Sequence, residues 1–154
     1  MSEVLGVVEL NAQLARLSRQ VGGPGTGRAL FEGGLVIERG VKERIKQQGL
    51  IDTGNYRASV EAVKISDSEV DVTSGVVYAA THEFGDSRPV TPKQRRFFWA
   101  MFADTGDPMW RAMAMTDKLN YPARPHWRPT LRQDTGKAKD AIAAAFKKEI
   151  ANAI

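Results

Sequence analysis

The chain has 154 residues, 42% hydrophobic and 26% charged, with a formal net charge of +4. That length suits one domain with a real core, and that composition suits a soluble globular protein rather than a disordered one. There is no cysteine, which excludes disulfides, thiolate metal sites and cysteine nucleophiles, and no apolar run nears the roughly 20 residues a bilayer requires.

The opening MSEVLGVVEL has no basic region before its apolar residues, so no secretory signal is expected. The chain is expected to act in a reducing cytoplasm or in a particle assembled there. Val7, Leu10, Leu14, Leu17 and Val21 recur at helical spacing. They predict a first helix from Val7 to Gln20, after a short strand at Glu3–Val7. The GGPG at Gly22–Gly25 is expected to end that helix.

Gly22 and Gly27 have the spacing of a phosphate-binding loop, but Arg28 and Ala29 stand where such a loop has Lys and then Ser or Thr. The stretch also follows a half-polar helical pattern rather than a buried strand. It reads as a flexible connector between helices. A second helix follows from Leu30, Ile37, Val41 and Ile45 and stops at Gly49. Gly33, Gly34 and Gly40 each cost about 1 kcal/mol there relative to alanine. Their presence predicts close approach of another backbone.

From Asn55 the period changes to two. Strands are expected at residues 56–65, 70–74 and 76–84, with a turn at 66–69. In the third, Val76, Tyr78, Ala80, His82 and Phe84 would share one face. Residues 86–121 break the pattern and read as an insertion, with one or two short helices, into a single domain spanning 1–154. PARPHW at 122–127 reads as extended. Pro129 is placed to open a last helix whose later face is Ala138, Ile142, Phe146 and Ile150. The expected fold class is α+β: a mostly antiparallel four-stranded sheet flanked by the N-terminal helices and a C-terminal helix.

Residues 86–132 hold nine basic and four acidic side chains and all three tryptophans. Cations with aromatics suit a protein interface, where Trp and Arg are the usual anchors. They also suit nucleic acid, through phosphate contacts and base stacking. The interface reading places the contact on Arg88, Lys93, Arg95, Arg96, Phe97, Phe98, Trp99 and Trp110, together with the glycine-rich face of the second helix. A plainer reading is a solvated loop whose aromatics fold back on the core, and the functional alternative is a nucleic-acid-binding accessory protein. An enzymatic alternative, a small hydrolase, would need Asp52, His82 and Glu83 in one cleft. With two histidines and no cysteine, no metal, cofactor or catalytic residue is expected.

Four stretches in order carry a resemblance: LGVVELNAQLARLS, GLIDTGNYRASV, VVYAATHEFGD and YPARPHWRPTL. Together they resemble the tail-completion, or head–tail joining (neck), proteins of tailed phages, close to the Mu-type virion morphogenesis proteins. The resemblance covers nearly the whole chain outside the insertion. The motif residues are Thr53, Gly54, Arg57, Ser59, Tyr78, His82, Glu83, Gly85, Arg124 and Pro125, and structural roles are expected for them. Gly54 would give a positive-φ turn, Gly85 would release the insertion, and Arg124 would pair with an acid such as Glu83. Two positions depart from the pattern: Tyr56 stands for Leu, and His126–Trp127 for Phe-Leu. The resemblance implies a virion protein of the tail or neck, assembled in the host cytoplasm as a multi-copy ring. Its implied partners are its own copies, tail-tube, terminator or head-connector proteins and passing DNA, with no membrane.

Overall fold

The computed structural model describes Arg19 and residues 22–50 and 54–153. Apart from Arg19, which is helical, the first helix expected at 7–20 lies outside these residues, as do the short strand before it, Asp52 and Thr53. The chain divides into two compact units, Met1–Val76 with His126–Ile154, and Val77–Pro125.

Among the described residues of the first unit, the leading helix is α1, Pro24–Gln47. The stretch expected to be a connector is therefore mostly helical, since α1 begins at Pro24 inside it. Pro24 sits in the first turn, where no N–H is needed and φ is already helical. The final helix, α6, spans Trp127–Ala153, so it opens before Pro129, which sits within its first turn.

The two helices run antiparallel, and glycines let them touch. A methyl group on Gly33 would lie 2.6 Å from the Ile142 side chain. One on Gly40 would lie 2.5 Å from the Asp134 carboxylate and 2.7 Å from the Thr130 methyl. Gly34 faces the other way, toward Val70 and Ala62 of the sheet. The helix thus forgoes propensity to pack on both sides, as its composition predicted. Arg28 and Glu149 join the start of α1 to the end of α6 by two hydrogen bonds of 2.8 and 2.6 Å.

A single helical turn, α2 (Asn55–Ala58), precedes β1 (Val60–Ser66) and β2 (Glu69–Ser74), which pair antiparallel. The strand expected from Tyr56 therefore starts late. Gly54 has the expected positive φ, 79°, but leads into a helical turn rather than directly into the strand, and Ser59 ends that turn by bonding the Tyr56 carbonyl and the Ser74 hydroxyl. The core of this unit holds Ala29, Val41, Ile45, Tyr56 and Val60.

Glu38 fastens α1 to β1. Its carboxylate accepts the Ala62 amide N–H at 2.8 Å and the Lys42 ammonium at 2.6 Å. Burial favours the protonated acid, but the bonds from Lys42 and Ala62 outweigh it and hold the carboxyl below its usual range. A folded-state pKa below the unfolded one stabilises the protein above the unfolded value. That stabilisation is lost as pH falls through the folded value. Urea denaturation across the carboxylate range should therefore show stability falling more steeply with acid in the wild type than in Glu38→Gln. Equal slopes would deny Glu38 this role.

The second unit runs α3 (Ala79–Phe84), β3 (Asp86–Pro89), α4 (Pro92–Thr105), α5 (Pro108–Met115) and β4 (Lys118–Tyr121). Here the expected third strand is a helix. Its alternating residues are also i, i+4 neighbours, and Tyr78 and His82 meet edge to face at 5.7 Å. Ala79 and Ala80 supply strong helix propensity. Among the described residues, the four-stranded sheet is thereby replaced by two separate two-stranded sheets, β1–β2 and β3–β4. The α+β class stands; the single sheet does not.

Both helices between β3 and β4 are signalled locally. Thr91 and Gln94 form a reciprocal capping box ahead of α4, with Pro92 in its first turn. Gly106 ends α4 at φ 69°, and Asp107 caps α5 through the Met109 N–H. They close on a cluster of Val90, Phe98 and Ala114, with Trp110, Met113 and Leu119 against it.

Candidate functional site

The basic aromatic run lies on α4, where successive residues point about 100° apart. The structure accordingly splits the residues grouped from sequence. Phe98 is 6% exposed and stacks on the half-buried Trp110, their rings 6.0 Å apart. Arg95 turns inward as well. Its guanidinium donates to the Ala114 carbonyl at 2.5 Å and the Thr116 carbonyl at 3.2 Å, 3.6 Å from Asp117. These contacts tie α4 to the C-terminal end of α5. Phe98, Trp110 and Arg95 therefore serve the framework of the unit.

What α4 presents outward is Lys93, Arg96, Phe97 and Trp99. Phe97 is 53% exposed and Trp99 42% exposed. Among the described residues, Lys93 and Arg96 have no ion-pair partner. Arg88, on β3, is held by Asp86 and by the Thr81 hydroxyl at 3.1 Å. The unit also exposes Val77, Phe84, Met109 and Met115.

The motif residues serve the fold where they are described. Gly85, at φ 73° and ψ 172°, turns α3 into β3. Any side chain there would meet the Tyr121 carbonyl and the Ala123 amide at 2.9 Å. The Arg124 amide donates to the His82 carbonyl at 2.7 Å, and Pro125 closes the unit. Glu83 is buried and His82 half-buried, side by side on α3. Tyr78 flanks the helix start, and Arg57 lies 3.8 Å from Glu43.

One buried cluster escaped the sequence reading. His126, fully buried, hydrogen-bonds the Tyr56 hydroxyl, which also accepts the Trp127 indole N–H at 3.3 Å. The Thr130 hydroxyl donates to the His126 carbonyl at 2.6 Å. The departures from the family pattern at Tyr56 and His126–Trp127 are therefore in contact. The signal was available: each adds a polar atom at a position expected to be apolar, and two buried polar atoms need one another.

Among the described residues, no group of three His, Asp or Glu is placed to hold a metal, and no helix is long and apolar enough to cross a membrane. The model of the family described as "Bacteriophage HK97-gp10, putative tail-component" matches residues 9–85, half of the chain. The chain belongs to this HK97-gp10-like family, a family of structural phage tail components, and is associated with the virion. No curated protein and no solved structure matches it.

Proposed function

We propose that the protein completes the phage tail and joins it to the head, as a ring of several copies at the neck. The observation that carries this reading beyond the family is the outward face of α4, where two cations and two large aromatics stand exposed on a preformed helix. Such residues anchor protein interfaces. A ring requires one patch to meet a different patch on the next copy. Its remaining partners would be tail-tube, terminator or head-connector proteins, with DNA passing through, after assembly in the host cytoplasm. The nucleic-acid alternative is less favoured, because Arg95 and Arg88 are already engaged within the unit.

The test is a stop codon in this gene within its phage or prophage, followed by electron micrographs of the lysate. Filled heads beside unattached tails of normal length are expected. Normal infectious particles would refute the reading.

A further inference from the structure

Among the described residues, no element of its own unit covers the outer face of the β1–β2 sheet. Strand alternation sends Ala62, Val70 and Val72 toward Gly34 on α1. Glu61, Val63, Glu69, Asp71 and Thr73 take the opposite face, with Glu61 across from Thr73 and Val63 across from Asp71. Glu61, Glu69 and Asp71 are exposed. Among the described residues none of the three carboxylates has an ion-pair partner. Ile65, where the ladder shifts register, is 56% exposed. Three carboxylates and two aliphatic side chains thus stand together without counter-charge.

The outward stripe of α4 has the opposite character. Lys93, Arg96, Ala100, Ala103 and Asp104 fall on one helical face, and all five are exposed, the two cations outweighing the one acid at its C-terminal end. Phe97 and Trp99 flank them. The small alanines leave room for a flat surface to approach. The stripe from Lys93 to Ala103 is about 15 Å long, and Glu61 to Ile65 spans about 13 Å of strand. The two surfaces match in length, oppose in charge, and each pairs its charges with exposed apolar groups.

We propose that the α4 face of one copy docks on the outer face of the β1–β2 sheet of a second copy. This rests on the ring reading above and names the surface that receives the α4 face. Lys93 and Arg96 meet Glu61, Glu69 and Asp71, while Phe97 and Trp99 cover Val63 and Ile65. The contact joins unlike patches, so each copy keeps one of each free for the next neighbour. Because it is steered by charge, it weakens with added salt.

The experiment uses two full-length variants, Lys93→Glu with Arg96→Glu and Glu61→Lys with Asp71→Lys. All four positions are exposed, and circular dichroism checks that both variants fold. Assembly is read by sedimentation velocity and native mass spectrometry. Each variant alone carries like charges on its two patches, so its self-association is expected to fall at least about a hundredfold. Mixed in equal amounts, the two restore complementary contacts in alternation, and oligomers of wild-type size are expected to return. Two folded variants that each assemble as the wild type does would overturn this docking surface and leave the ring reading standing. Loss in both with no recovery on mixing would overturn the pairing of these two patches. A wild-type chain that stays monomeric at every concentration would overturn the ring reading and this interface with it.

Discussion

Gly85→Ala is expected to destabilise the Val77–Pro125 unit by about 3–4 kcal/mol. The backbone there, at φ 73° and ψ 172°, lies in a region that only glycine occupies without strain. A Cβ would also stand 2.9 Å from both the Tyr121 carbonyl oxygen and the Ala123 nitrogen. These are backbone atoms at the end of β4, so they cannot rotate away as a side-chain tip would. Relief would require β4 to leave β3, whose ladder with it spans four residue pairs. Hydrogen exchange at the β3 and β4 amides measures the effect locally, and urea denaturation measures it globally. A cost below about 1 kcal/mol would mean that the reversal from α3 into β3 is not built this way.

The second large effect separates framework from surface on a single helix. Phe98→Ala should cost about 3–5 kcal/mol, because the ring fills the cluster of Val90, Ala114 and Leu119 and stacks on Trp110. Trp99→Ala, one residue on, should leave stability within about 1 kcal/mol. The indole is 42% exposed and touches Phe102 at its edge. Its loss should appear in assembly: particle yield falls while the isolated chain melts as before. Comparable melting losses in both variants would remove Trp99 from the assembly face.

How much of this was legible in the sequence depended on whether a pattern had one structural reading. The helix from Leu30 onward had one. Apolar residues at helical spacing fixed its face, and three interior glycines implied the close approach that Ile142, Thr130 and Val70 make. VVYAATHEF had two, since residues four apart in an alternating run are also helical neighbours. The alanines and the glycine stop at Gly85 decided for helix, and the expected sheet lost its third strand. Phe97, Phe98 and Trp99 are consecutive, so composition could flag them but could not say which turns inward. That choice is made by the distant partners Trp110 and Ala114. Arg95 looked like surface charge because its acceptors are backbone carbonyls, which carry no sequence signature.

On the proposed function, this chain supplies the last structural step between a finished tail and a filled head. The most direct test adds the purified protein to a lysate of the gene-defective phage and counts infectious particles. A rise in titre by several orders of magnitude, with heads and tails joined in micrographs, is the predicted result. If the titre stays flat while wild-type lysate rescues the same mixture, the protein does not complete the tail or join it to the head.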